Sequence, residues 1–312
     1  MTEEKRFVPV MLTPFHEDGS IDFEGLTVLT QYYLDKGAKG LFANCQSSEM
    51  FDLRPEERIQ IIQHVLKIAD GKVPVVAAGN FGDTIAEQAS FVKEVHATGV
   101  DAVIVLTGLL AKENESDDVL VQRIEELLAL TDNIPLGFYE CPVPYKRVLS
   151  PEILGKFVAT GRIIYHKDTC LNLDQVKEKN RLCADVKSFG LYDAYMVHAV
   201  DSLKSGSAGL SCIQGNYFPE LVVWLCNNYS NPIAHNDVNE VQQFFIDEMD
   251  VMHQNYPTSA KYYLQQNGLP ITTYTRRLNS SAVSDQVKTE MSELKERYNG
   301  LLQKLSSVVG AK

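Results

Sequence analysis

Two lysines sit where a neutral amine could be made. Lys167 closes the apolar run Ile163-Ile164-Tyr165-His166-Lys167, and Lys187 lies in a weaker run, Val186 to Phe189. A lysine enclosed at the end of a buried strand loses hydration, which disfavours the ammonium form and lowers its pKa. The neutral amine can attack a ketone and form a Schiff base. The resulting iminium is an electron sink, and it permits a carbon–carbon bond next to it to form or break. The competing use of such a lysine is to snorkel into solvent at the strand end.

Alternation along the strands sharpens the choice. If Lys167 points into a barrel, Tyr165 and Ile163 point in with it, and His166 and Ile164 face the surrounding helices. On the preceding strand an inward Tyr139 puts Gly137 inside, with Phe138 and Leu136 outward. A small residue inside and apolar residues outside suit a crowded barrel interior. Tyr139 and Lys167 then share one end of two neighbouring strands. A phenol there can move protons during carbinolamine formation and dehydration.

Metal chemistry has no comparable support. The six cysteines form no CxxC pair, and the seven histidines show no HxH, HExxH or HxxxH spacing. We therefore expect no metal and no cofactor, and buried, reduced thiols.

The elements that must hold this pair alternate regularly. Strands are expected at Phe7–Leu12, Gly40–Asn44, Val73–Ala78, Ala102–Leu106, Pro135–Tyr139, Ile163–Lys167, Val186–Phe189 and Gly209–Ile213. Helices are expected between them at Phe23–Asp35, Pro55–Ile68, Thr84–Ala97, Asp118–Leu130, from Pro151, near Leu173–Asn180, at Asp193–Leu203 and at Pro219–Asn227. Eight such units predict an α/β fold, the (β/α)8 TIM barrel, with its active site at the C-terminal ends of the strands. A doubly wound sheet is the weaker choice, because Thr13-Pro14-Phe15 after the first strand lacks a glycine-rich phosphate turn. From Asn236 onward only helices are expected, at Val238–Gln254, Thr258–Gln266 and Ser284–Val309. A boundary near Ser230 gives a barrel domain, 1–230, and a C-terminal helical domain, 231–312.

Composition narrows the partners. Among 312 residues, 29 basic minus 41 acidic leaves a net charge of −12, which argues against nucleic acid and anionic membranes. No window of about 18 apolar residues occurs, so no spanning helix is expected. The charged start, Met1 to Arg6, lacks a signal-peptide apolar region, and a cytoplasmic location is expected.

Several segments resemble the dihydrodipicolinate synthase / N-acetylneuraminate lyase family. They are Val8-Pro9-Val10-Met11-Leu12-Thr13-Pro14-Phe15 with Asp18-Gly19-Ser20-Ile21-Asp22, Phe138-Tyr139-Glu140-Cys141-Pro142, His166-Lys167-Asp168, and Ser205 to Ser211 with Asn216 and Pro219. The resemblance spans about residues 7 to 300. It implies a class I aldolase mechanism on pyruvate or a related 2-keto acid, with an aldehyde as the second small molecule, no metal, and a homotetramer. It makes Lys167 the Schiff-base residue and Tyr139 its proton partner. It also implies that the loop Cys45-Gln46-Ser47-Ser48-Glu49 holds the keto-acid carboxylate, through Gln46, Ser47 and Ser48, with Leu210 of the eighth strand nearby. Glu49 is expected to be structural.

Two departures bear on the second substrate. Where many members carry a Pro-Tyr-Tyr run, whose tyrosine joins the proton relay across a subunit interface, this chain has Thr107-Gly108-Leu109-Leu110. The arginine that dihydrodipicolinate synthases place after the tyrosine motif aligns near Pro144, and Arg147 could replace it only in a rearranged loop. The expected activity is therefore a lyase or aldolase using another aldehyde. Dihydrodipicolinate synthase (pyruvate plus aspartate semialdehyde) is the alternative, and a non-catalytic 2-keto-acid binder a third reading.

Overall fold

The computed structural model describes residues 4–305. Eight parallel strands, β1 (Arg6–Phe7), β2 (Leu41–Asn44), β3 (Val75–Ala78), β4 (Ala102–Leu106), β5 (Leu136–Tyr139), β6 (Ile163–Asp168), β7 (Gly190–Asp193) and β8 (Gly209–Leu210), follow one another around a single sheet. β1 pairs with β8, and a parallel bridge from Val10 to Phe42 of β2 closes the ring. Helices α1 (Phe23–Asp35), α2 (Pro55–Ala69), α3 (Ile85–Ala97), α4 (Thr107–Leu110), α5 (Asp117–Leu130), α6 (Pro151–Val158), α7 (Leu173–Cys183), α8 (Ala199–Lys204) and α9 (Pro219–Asn228) surround it. The extension consists of α10 (His235–Asp247), α11 (Met249–His253), α12 (Thr258–Gln266) and α13 (Asp285–Lys304). This is the expected barrel with a helical extension.

Local chemistry sets the boundaries. Thr84 caps α3, accepting from Glu87 N while the Glu87 carboxylate returns to the Thr84 amide. Pro55 opens α2 and Pro151 opens α6, where a missing amide hydrogen costs nothing. The helix-facing side of the sheet packs into one core that also includes Phe244, Leu264 and Leu294 of the extension. The barrel interior is a second cluster, in which Tyr165 stacks on Tyr192 with centroids 4.5 Å apart and Phe42 meets both Tyr139 and Tyr165 edge-on.

The structure corrects several boundaries. β7 runs from Gly190 to Asp193, not Val186 to Phe189, so the expected run lies before the strand. Gly190 is required there, because a Cβ would lie 2.9 Å from the Ala208 Cβ just before β8. The helix expected from Asp193 is a 3-10 turn, Met196–His198, followed by the short α8. The segment Thr107–Leu110 forms a helical turn not foreseen. The first extension helix breaks at Glu248, whose buried carboxylate is held by Arg297 at 2.6 Å. α13 ends at Lys304, and the part of the expected helix from 306 to 309 lies outside the described residues.

One strand departs from simple alternation. Leu136 pairs with Ile163, but Gly137 pairs with Tyr165, so β6 holds one extra residue. As a result Ile163 faces the helices and Ile164 packs against the interior cluster, the reverse of the expectation. From Tyr165 onward the expected alternation is restored.

Candidate active site

β5 and β6 bring the two candidate residues together. Tyr139 pairs with Lys167 across the strands, and the Lys167 Nζ sits 4.3 Å from the centre of the Tyr139 ring. Gly137 makes room one layer below, since a Cβ there would lie 2.6 Å from Ile104. Lys167 is 4% exposed. Burial lowers its pKa below the ordinary 10.5, against smaller opposing effects of Cys45, Cys141 and Cys212. Burial pushes the Cys141 thiol up to about 11 and the Cys212 thiol to about 12, so both sulfurs are uncharged at neutral pH. Burial likewise raises the Tyr139 phenol well above 10. The arrangement is an amine poised to be neutral, facing a phenol that keeps its proton.

The outward neighbours of these residues form a buried ionic cluster. Glu140 follows Tyr139, and Asp168 follows Lys167. Lys179 of α7 donates to Glu140 Oε1 at 2.7 Å and to Asp168 Oδ2 at 2.6 Å. Glu140 also accepts from the amides of Leu149 and Thr169, both at 3.0 Å. The His166 Nε2 lies 3.4 Å from Glu140 and 3.5 Å from Asp168, without hydrogen-bond geometry. Burial disfavours its imidazolium, but Asp168 and Glu140 outweigh that and raise its pKa above 6.5. Glu140, His166 and Asp168 could together ligate a cation. The Lys179 ammonium already fills that role between the two carboxylates.

The loop after β2 is held by its own polar groups. Ser48 is fully buried, and its hydroxyl donates to Met11 O at 2.7 Å while accepting from Cys45 N at 3.1 Å. It therefore staples the loop to the chain after β1, away from a ligand. Gln46 accepts from the Cys141 thiol at 3.6 Å and borders a small cleft at the barrel mouth. Ser47 is buried beside Tyr256. Glu49 adopts the left-handed conformation, with φ 58°. Glu49 is a structural anchor, accepting from Lys261 Nζ at 2.9 Å and Arg277 N at 3.0 Å.

Other sequence candidates lie elsewhere. The Leu210 side chain packs in the helix-facing core. Lys187 is exposed ahead of β7, at the opposite end of the barrel from Lys167, and its Nζ donates to Ala184 O at 3.3 Å. Arg147 is committed to the carbonyls of Lys112 and Glu115 and to Asp117. Leu109 packs against the interior cluster, leaving that corner apolar. Lys179, Lys261 and Tyr256 were missed, because only the packing of α7, α12 and the turn before α12 against the barrel brings them there.

An enclosed lysine facing a tyrosine at the strand ends of a barrel defines the class of Schiff-base aldolases. The model of the Dihydrodipicolinate synthetase family matches residues 3–297, and the chain belongs to that family. It is a carbon–carbon lyase of the class I aldolase type. A 4-hydroxy-tetrahydrodipicolinate synthase of Shewanella baltica is 27% identical over 220 residues, covering 70% of this chain and 73% of its own. The counterpart from Shewanella piezotolerans is 23% identical over 300 residues, covering 95% and 94%. Among solved structures, a monomeric dihydrodipicolinate synthase variant superposes with a TM-score of 0.84 at 21% identity, covering 96% of this chain and 98% of its own. A prophage protein of the same family from E. coli, in complex with pyruvate, gives 0.80 at 20%, covering 95% and 98%.

Proposed function

We propose that Lys167 forms a Schiff base with pyruvate or a related 2-keto acid, and that Tyr139 manages the protons of that step. The observation that carries this reading is the buried Lys167 Nζ over the Tyr139 ring, at the C-terminal ends of paired strands. The E. coli relative holds pyruvate, which supports the keto-acid class. Loss of the C3 proton from the iminium gives an enamine, and the enamine attacks the aldehyde carbon; cleavage is the reverse. Gln46 and Ser47 remain the loop side chains available to the carboxylate.

The aldehyde in this reading lacks the carboxylate of aspartate semialdehyde. A buried carboxylate needs a cation, Arg147 is occupied elsewhere, and Leu109 makes the neighbouring wall apolar. The relatives' names favour 4-hydroxy-tetrahydrodipicolinate synthesis as the second reading. A coupled assay with aspartate semialdehyde decides between them: kcat/KM of about 10⁴ M⁻¹s⁻¹ or more restores the second reading. Assembly as a homotetramer belongs to the proposal and is checked by light scattering.

Covalent trapping tests the centre itself. Borohydride with pyruvate should inactivate the enzyme and add the reduced pyruvyl mass to the peptide containing Lys167. Lys167→Arg should give no adduct, because guanidinium stays protonated. An adduct on Lys187 would sink the assignment.

A further inference from the structure

The buried ionic cluster at the ends of β5 and β6 takes no part in the Schiff-base chemistry, yet it adjoins both functional residues. Asp168 is the next residue of β6 after Lys167, and Glu140 follows Tyr139, the strand partner of Lys167. His166 and Asp168, two residues apart, share the face of β6 opposite Lys167. Glu140, His166, Asp168 and Lys179 are all fully buried, so solvent screens their charges poorly. Burial opposes the Lys179 ammonium, but Glu140 and Asp168 outweigh it and raise its pKa above 10.5. Burial also opposes the Asp168 carboxylate, but His166 and Lys179 outweigh it and hold the carboxyl below the usual range. With the imidazole neutral, two carboxylates and one ammonium leave the cluster a single negative charge. Burial raises the thiols beside it, Cys170 and Cys183, so neither adds charge. On β7, Asp193 is the register partner of Asp168, and its carboxylate lies 2.9 Å from His198 Nε2. Lys167 itself meets the Tyr139 ring and feels the thiols of Cys45, Cys141 and Cys212, and none of these is a carboxylate.

We propose that Lys179 is a positioning residue for the Schiff-base centre: its ammonium balances Glu140 and Asp168 behind the strand ends, so that their charge does not hold the Lys167 amine in its cationic form. This rests on the assignment of Lys167 above. The amine adds to the keto carbon through its nitrogen lone pair, and that pair is free only after the ammonium has given its proton to solvent. Negative charge nearby favours the ammonium. One uncompensated charge in a protein interior, a residue away along the strand, moves such a group by about one pH unit. Without Lys179 the charge beside Lys167 doubles, and less of the amine is neutral at any given pH. Lys179 touches no substrate; it acts through the charge it offsets.

The pH dependence of adduct formation reads this balance. Rapid-quench borohydride trapping with pyruvate gives the rate at each pH, and the midpoint of its acid limb follows Lys167. His166 takes up a proton more readily when negative charge is added beside it, which masks the change. Each variant is therefore built on His166→Gln and compared with that parent. Lys179→Gln removes the ammonium but keeps a hydrogen-bond donor, and the midpoint should rise by about one pH unit. Asp168→Asn keeps an oxygen for the Cys170 amide and removes one carboxylate, and the midpoint should fall by a similar amount. The double variant restores the single negative charge and should return the midpoint to that of the parent, whatever its plateau rate. A merely structural role would change yield or plateau rate and leave the midpoints alone. Superimposable midpoints, shifts of one sign in both single variants, or a double variant that stays at the Lys179→Gln value overturn the proposal. Where Lys179→Gln does not fold, Asp168→Asn decides alone: a fall upholds the proposal and an unmoved midpoint overturns it. No Lys167 adduct in the wild type fells the Schiff-base reading and this proposal together; a normal adduct with unmoved midpoints fells this proposal alone.

Discussion

Lys167 and Tyr139 make separate demands on their surroundings. The amine must lose its charge, and the phenol must keep its proton. Because burial lowers the Lys167 pKa, the neutral fraction grows as pH rises through a value below 10.5. The rate of adduct formation should therefore climb with pH along an acid limb whose midpoint lies below 10.5, and a midpoint at or above it would show an ordinary, solvated lysine. Tyr139→Phe keeps the ring under the amine and removes only the hydroxyl. Turnover should fall by roughly 10²–10⁴-fold with little change in the denaturation midpoint. The juxtaposition of this pair was legible in the sequence, since an inward Lys167 and an inward Tyr139 fall at the same end of neighbouring strands. Ser48 and Leu210 were not. The Ser48 hydroxyl is turned into the backbone by local hydrogen bonds, and β8 ends at Leu210 with that side chain on its outer face.

Strands β5 and β6 are held in register from behind. Glu140 and Asp168 follow Tyr139 and Lys167 along the two strands, and the Lys179 ammonium joins them. Lys179→Met would leave two buried carboxylates side by side without their cation, at an expected cost of about 3–5 kcal/mol. Chemical denaturation measures that loss, and an unchanged midpoint would mean the cluster is dispensable. His166 adds a pH signature. Its folded-state pKa is raised above 6.5, so its stabilisation is complete below 6.5 and is lost as pH rises through the higher folded value. The stability gap between wild type and His166→Gln should narrow across that window. Strand and helix existence followed well from apolar periodicity. Register did not, because the extra residue at Ile164 and the displaced β7 depend on neighbouring strands, which a single sequence does not display.

The barrel and the extension share one core, and polar ties join them at the loop after β2 and the first turn of α2. Lys261 reaches Glu49, Arg276 clasps the Glu57 carboxylate at 2.7 and 2.8 Å, and the Arg277 amide returns to Glu49. Unfolding of the full chain should accordingly be a single calorimetric transition, and two resolved transitions would show independent domains. Among the described residues no helix is long and apolar enough to cross a membrane. The left-handed Glu49, pinned from 212 residues away by Lys261, has a consequence for engineering. A β2 loop transplanted from a relative would arrive without the ammonium that fixes its last residue, unless its native α12 travels with it. Chimeras cut near residue 230 would separate those partners, so loop and helix are best exchanged as one cassette.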